Sequence, residues 1–309
     1  MAHHASDAPE ATVVVVAFRR PAALAALLDS LDGTPAEVVV VNVGDDLDVR
    51  AVGSRARLPV RTIAVENRGF GAAVNAGADA AHGDVVVFTN DDVVIDAHAV
   101  SALVRAVHDG ADVALPRVVD RDGEEQRTLR ALPTPGRLLF EWALLPDRPV
   151  RTVERWSRVE KWRSPRVVER VPAASACTVA VRRELLRATP LPDEYFLYWE
   201  ELEWFWALQQ DRRTVLFLPD TTVVHGGGSD DVRPEKSRLL ARNAVRCVRR
   251  TQGRAAALAA FGIVIVWNAR LFLLDAFRRT VSARDVPVTR LSARRAGLGA
   301  ALASWREIR

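Results

Sequence analysis

Cysteine and lysine are nearly absent from this chain, and each shortage narrows what it can be. The only cysteines are Cys177 and Cys247, with no Cys-x-x-Cys pair. A disulfide scaffold and a thiolate zinc site are therefore not implied, and a reducing cytoplasm is the expected compartment. Lysine occurs only at Lys161 and Lys236, so almost all positive charge is arginine. The stretch from Met1 to Glu10 lacks the basic-then-apolar order of a secretory signal, and His3 and His4 within it read as a tail rather than a metal site. There is no internal repeat. The basic C-terminal tail is not accompanied by the aromatic-basic interleaving of a strand-binding groove, which argues against nucleic acid as a partner.

What is present suits a packed α/β domain with an extension. The chain has 309 residues, 49% hydrophobic and 27% charged, too apolar for disorder and long for a single small domain. Its formal charge is +4, but Arg246 to Arg309 alone carries 13 arginines against Asp275, Asp285 and Glu307, a local +10 that leaves −6 elsewhere. Such asymmetry points the C-terminal part at an anionic partner, membrane lipid above all. Two units follow: a domain over 1–245 and a basic helical extension over 246–309.

Residues 12–18 form a continuous apolar run, the mark of a strand covered on both faces. Pro21 opens a helix over 22–31, ended by Gly33 and Pro35. Strands are predicted over 37–41, 59–65 and 85–89, with a small-residue helix over 71–81 between the last two. This alternation predicts a mostly parallel central sheet flanked by helices, with ligands outside the carboxyl ends of its strands. Further on, 112–119, 171–181 and 214–218 read as strands, and 197–210 and 234–250 as helices. Residues 133–170 form an insertion rich in Pro, Arg and Trp, whose Trp142, Trp156 and Trp162 can line an interface or an acceptor groove. Residues 255–274 have the length of a bilayer core, about 20 residues, but are interrupted by Asn268 and Arg270. They read as an amphipathic helix lying on a membrane or packed on the domain.

Four constellations can carry chemistry. Asn90-Asp91-Asp92 follows a buried strand, where two adjacent carboxylates repel and a divalent cation such as Mg²⁺ or Mn²⁺ compensates; a helix N-cap is the plainer alternative. Asn67-Arg-Gly-Phe-Gly-Ala-Ala-Val-Asn75 places glycines at 69 and 71 near a helix N-terminus, where anions are stabilised. It is not a dinucleotide fingerprint, because Val74 stands where the third glycine belongs. Glu200, Glu201 and Glu203 cluster among aromatics, where partial burial suits a general base; a solvated acidic helix face is the alternative. His225 precedes three glycines and is either a ligand or a loop residue.

In this order the four elements resemble family-2 inverting glycosyltransferases, particularly the rhamnosyltransferase-like and galactofuranosyltransferase-like branch. The likeness covers about residues 11–250. It includes Ala17-Phe-Arg-Arg-Pro21, Val39-Val-Val-Asn-Val-Gly44, Ala176-Cys-Thr-Val-Ala-Val-Arg-Arg183 and Arg242-Asn243. The resemblance implies an α/β GT-A-type nucleotide-binding fold with a C-terminal helical extension. It implies that Ala17, Phe18, Asn42, Asn67, Gly71, Asn90 and Asp91 contact a nucleotide-sugar, with dTDP-rhamnose the first donor to consider and UDP-sugars next. It places Mg²⁺ or Mn²⁺ on Asp92, with Asp91 and His225, and the general base on Glu201, supported by Glu200. Tyr198 and Trp199 fall beside the acceptor, expected to be a lipid-linked or envelope glycan at the inner face of the cytoplasmic membrane. Five positions depart from the family pattern: Asn42 and Asn90 replace aspartates, Glu201 stands where an aspartate is usual, and Val43 and Asp45 differ from the usual polar turn. A non-catalytic nucleotide-sugar-binding or scaffold protein on the same fold is the competing expectation.

Overall fold

Every residue of β1 (Ala11–Ala17) except Val16 is buried, because alternate side chains serve two different cores. The computed structural model describes residues 10–139, 167–227, 233–281 and 288–309. Within it Val14 joins Val39, Val41, Val86 and Phe88 on one face of the sheet. Val13 and Val15 join Val38, Val40, Val85 and Val87 on the other. A strand wetted on one side would alternate; one covered on both sides is largely apolar, and its one polar residue, Thr12, is hydrogen-bonded to Glu37 and the Gly83 amide.

The parallel part is β3 (Val60–Val65), β2 (Glu37–Val43), β1 and β4 (Val85–Asn90), in that spatial order. Three helices cover one face: α1 (Pro21–Ser30), α2 (Leu47–Arg55) and, after the short β5 (Val93–Val94), α4 (Ala97–His108). The other face is covered by α3 (Phe70–Ala80), together with later elements. Helices α2 and α4 went unanticipated, although each has an aspartate cap: Asp46 accepts from the Asp48 and Val49 amides, and Asp96 from Ala99.

Beyond β4 the sheet changes character. It continues through β10 (Thr178–Arg182), β6 (Val113–Val119) and β11 (Val215–His225) to β5, with β8 (Glu169–Arg170) also on β11. The β6–β11 pair is parallel, whereas β10, β5 and β8 run antiparallel to their neighbours. A small second sheet pairs β7 (Leu129–Arg130) with β9 (Ala173–Ala174). The segment predicted as one strand over 171–181 is thus divided between two sheets. The strand expected over 214–218 runs on to His225, its Pro219 absorbed where the register shifts between Leu218 and Thr222.

Helices α5 (Pro135–Leu139), α6 (Arg183–Ala188) and α7 (Glu200–Gln210) precede a long element, α8 (Pro234–Val281). Helix α7 begins at Glu200 rather than 197 because Tyr198 and Trp199 hold left-handed φ of 68° and 80°. Helix α8 continues well past 250. It is broken only at Gly253, whose φ of 86° no helix contains, so the 245/246 boundary expected from charge falls inside regular helix. After it α9 (Val288–Ala303) packs back along α8, ending in a 3₁₀ turn at Ser304–Glu307. Trp142, Trp156, Trp162, His3 and His4 lie outside the described residues.

Candidate active site

The sheet order reverses between β1 and β4, and at such a switch point the loops leaving two parallel strands part and open a crevice. The chain leaves β1 at Ala17 and β4 at Asn90, which brings Phe18 and Asp91 together: the Phe18 amide donates to Asp91 Oδ2 at 2.9 Å. Asp91 is fully buried, and the Asp92 side chain is only 8% exposed. Neither caps a helix, since the cap of α4 is Asp96.

His225 reaches this crevice through sheet pairing. Antiparallel β5 and β11 set His225 opposite Val93, and the Gly226 amide donates to the Asp92 carbonyl at 2.8 Å. His225 Nε2 then lies 3.4 Å from Asp92 Oδ1, while Nδ1 meets Gln126 Oε1 at 2.9 Å. The Gln126 amide nitrogen also donates to the His225 and Gly227 carbonyls, so one side chain fixes both ring and loop. Gly227 lies tight against the pair: a Cβ there would stand 2.7 Å from Asp92 Oδ2 and 2.8 Å from His225 Nε2, so a larger residue would displace one of them.

Burial pushes the Asp91 carboxyl up to about 6, with the Asp92 charge adding to it against the Phe18 amide and Arg20. Burial acts upward on Asp92 too. There the His225 hydrogen bond and charge, together with Arg20, outweigh it and hold the group below its usual range. The half-exposed Arg20 guanidinium spans both carboxylates, 2.6 Å from Asp91 Oδ1 and in contact with Asp92 Oδ2. Even so, Asp91 Oδ1 and Asp92 Oδ1 are buried without a well-directed hydrogen bond. Two hydrogen-bond-poor carboxylate oxygens with an imidazole beside them match the donors a hard divalent cation takes. Among the described residues no group of three His, Cys, Asp or Glu side chains is placed to hold a metal ion by itself, so a cation here would need further oxygen ligands from a substrate's phosphates.

The acidic helix start is a second centre. Glu203 is committed to structure: it accepts from Tyr195 Oη at 2.5 Å and from Arg250 Nε at 2.6 and 2.9 Å. Glu200 is almost wholly enclosed, its Oε2 has no hydrogen-bond partner, and burial followed by the Glu201 charge raises it well above the usual carboxylate range. Glu201 faces Arg130, whose Nη1 is 3.6 Å from Oε1. Three acids at one helix start thus have three environments.

Residues 12–187 match the family described as Glycosyl transferase family 2, which is more than half the chain. The chain belongs to that family.

Solved structures agree on the fold. A mannosyltransferase of Pyrobaculum calidifontis, PcManGT, described in complex with GDP-Man and Mn2+, superimposes with a TM-score of 0.55 at 16% identity, over 97% of this chain and 88% of that one. GalNAc-T7 with UDP, GalNAc and Mn2+ gives 0.52 at 15%, over 95% and 55%. S. aureus TarS 1-349 in complex with UDP-GlcNAc gives 0.51 at 17%, over 97% and 82%. A comparison with curated protein sequences finds no match. The molecule is a glycosyltransferase with a GT-A-like α/β fold.

The other expected site residues of this glycosyltransferase are placed unevenly. Ala17 is buried in the sheet core, whereas Phe18 is exposed. Asn67 is exposed at the entry to α3, and Gly71 is buried against the Pro192 carbonyl. Asn90 is half-buried, its backbone N–H donating to the Cys177 carbonyl at 3.0 Å. Asn42 is fully buried, and both ends of its amide are engaged by the Asp46 backbone at 2.9 Å, so its side chain builds the turn after β2. Trp199, expected beside the acceptor, is instead a core residue, 4% exposed, because the left-handed turn folds it inward; Tyr198 stays half-buried.

That turn is held from two sides. Asn243 donates to the Leu197 and Tyr198 carbonyls at 2.9 Å each. Gly69, with φ of 106°, lies so close to Phe196 that a Cβ would stand 2.2 Å from its carbonyl oxygen. The glycine turn before α3 and the acidic helix start are therefore one packed unit. Gln126, Arg130 and Arg20 went unrecognised as site residues in the sequence. Gln126 holds His225 and Arg130 faces Glu201, and four residues of chain span at most about 14 Å. The short 126–130 segment thus connects the aspartate crevice to the acidic helix.

Proposed function

We propose that this protein is an inverting glycosyltransferase, transferring a sugar from a nucleotide-sugar to a hydroxyl of a lipid-linked or envelope glycan at the inner face of the cytoplasmic membrane. The observation that carries the reading is the pair of buried, hydrogen-bond-poor oxygens of Asp91 and Asp92, beside His225 at the switch point. Asp92 and His225 would hold Mg²⁺ or Mn²⁺, with Asp91 supporting. When bound, the cation neutralises the charge that develops on a departing nucleoside diphosphate. Arg20, half exposed and already on both carboxylates, is placed to turn toward that diphosphate once the aspartates have another partner. The relatives' complexes with GDP-Man, UDP-GlcNAc and UDP support a nucleotide-sugar donor, and dTDP-rhamnose and UDP-sugars are the first to test.

Glu201 is the general base of this proposal. Its carboxylate takes the proton of the acceptor hydroxyl while that oxygen bonds the anomeric carbon from the face opposite the leaving group. The bond from that carbon to the diphosphate oxygen breaks, and its electron pair leaves with the nucleoside diphosphate. One displacement inverts the anomeric centre. Arg130 orients Glu201. Burial and the Glu201 charge push the adjoining Glu200 carboxyl well above its ordinary range.

A thermal-shift screen of dTDP- and UDP-sugars with and without Mn²⁺ tests the donor site. A Mn²⁺-dependent rise in melting temperature with one donor is expected, and it should vanish in Asp92→Ala. Glu201→Gln should lower turnover by about 10²–10⁴-fold while donor affinity is kept; near-wild-type turnover rejects Glu201 as base. The alternative, a non-catalytic nucleotide-sugar-binding protein, draws on Arg20 already neutralising both aspartates. Donor binding without turnover, indifferent to Mn²⁺ and to Glu201→Gln, would establish it.

A further inference from the structure

The C-terminal hairpin of α8 and α9 is built inside out. Between Gly253 and Val281 the residues of α8 turned inward are Ala257, Ala260, Val264, Asn268 and Asp275, while large apolar side chains point out. Leu258, Val266, Leu273 and Phe277 are 42%, 60%, 64% and 62% exposed. At 3.6 residues per turn these four fall within an arc of about 100°. Arg254 and Arg279 lie along one border of that arc and Arg270 along the other, all three exposed. In a water-soluble helix the polarity runs the other way.

The inward polar groups have partners on or near the returning helix. Asp275 Oδ2 accepts from Arg290 and Arg294 at 3.2 and 3.1 Å. Asn268 donates to the Val264 carbonyl at 2.8 Å, and Gly297 leaves room for its Oδ1, which a Cβ would approach to 2.5 Å. The outer orientation of the leucines is therefore held by specific ion pairs and a close helix contact.

We infer that this outer face of α8 docks on an anionic phospholipid surface, with Leu258, Val266, Leu273 and Phe277 below the headgroups and Arg254, Arg270 and Arg279 among the phosphates. The inference deepens the membrane-side placement proposed above and rests on that placement alone, not on the donor chemistry. Charge complementarity selects the occupant: residues 254–309 carry ten arginines against three acids, and guanidinium groups bordering an apolar strip match a layer of phosphates over acyl chains. The helix is long and apolar enough to cross a bilayer, but the fold returns the chain to the side it left. Glu307 pairs with Arg242 and Arg246, and Ile308 is buried in the domain core. Exposed Arg295 on α9 would also be drawn into hydrocarbon by full insertion. The hairpin lies on the membrane.

Sedimentation of the full chain with sucrose-loaded vesicles tests this. Vesicles with about one-third phosphatidylglycerol should bind the wild type, and pure phosphatidylcholine should bind it at least tenfold more weakly. Leu273→Ser with Phe277→Ser should reduce binding by roughly 100-fold, and Arg254→Ser with Arg270→Ser and Arg279→Ser by roughly tenfold or more on anionic vesicles. These side chains face outward, so thermal unfolding and the donor-induced shift should be unchanged in both variants. A spin label at Val266→Cys should gain oxygen accessibility on vesicle addition. Wild-type sedimentation unaffected by vesicles, or retained in the Leu273/Phe277 variant, overturns the inference. So does a dimer that dissociates in that variant without vesicle binding, since the face would then meet a second copy. A donor shift that persists through any of these failures leaves the transferase reading standing.

Discussion

The parallel half of the sheet and the C-terminal hairpin use the same materials, aliphatic side chains and a few aspartates, in opposite directions. In β1 to β4 the valines are buried on both faces, and Asp91 and Asp92 appear where the last strand ends. In α8 beyond Gly253 large apolar side chains such as Leu258, Val266, Leu273 and Phe277 face out, and Asp275 is enclosed. The first arrangement stabilises a scaffold and leaves charge at its rim, where a ligand can meet it. The second spends its charge holding two helices together and leaves its apolar surface for something else. Burial, more than composition, tells which role a carboxylate or a leucine plays.

That contrast can be broken most forcefully in the sheet. Phe88→Ala, at a fully buried ring packed against Phe70 and Trp204, should cost about 3–5 kcal/mol in urea unfolding, whereas exposed Leu273→Ala should change it by about 0.5 kcal/mol or less. Equal losses would mean that the hairpin surface is core after all. The next effect is within the hairpin. Asp275→Ala strands Arg290 and Arg294 and should loosen α9 by about 2–3 kcal/mol, less than a fully enclosed pair because Arg290 is half exposed. Amide exchange should accelerate in 288–303 and stay unchanged in β1 to β4; a uniform change would show the two regions unfold together.

The smallest effect concerns the clasp between them. Burial acts to raise Glu307, but the hydrogen bonds and charges of Arg246 and Arg242 prevail and hold it below its usual range. A folded-state pKa below the unfolded one contributes stability that is complete above the unfolded value and lost as pH falls through the folded one. The hairpin should therefore detach on acidification below about pH 4, and Glu307→Gln should remove about 1–2 kcal/mol of that stability at neutral pH. Limited proteolysis around Gly253 against pH reads both; a profile that Glu307→Gln does not alter would assign the clasp to other contacts.

Much of the scaffold was legible because it depends on neighbours in sequence. Continuous valine runs locate β1, β2 and β4, and Pro21 and the leucine spacing locate α1. The carboxylates at 91 and 92 follow from where β4 ends. The later strands were read less well. Pro219 reads as a strand end yet sits within a register shift of β11, and 171–181 belongs to two sheets.

The site shows the same division. Sequence alone determined the carboxylates that end β4, the acid-rich start of α7, the histidine before the glycines and the arginine-rich tail, since each is a local pattern of residue types. Tertiary structure alone decided that β5 pairs with β11 and so delivers His225 to Asp92. It also decided that Gln126 and Arg130 hold His225 and Glu201, that Glu203 belongs to Tyr195 and Arg250, and that Trp199 turns into the core. The same holds for the direction in which the leucines of α8 face. Local periodicity records which residues share a helix or strand face; which partner that face meets depends on contacts between distant segments, and those exist only once the chain has closed on itself.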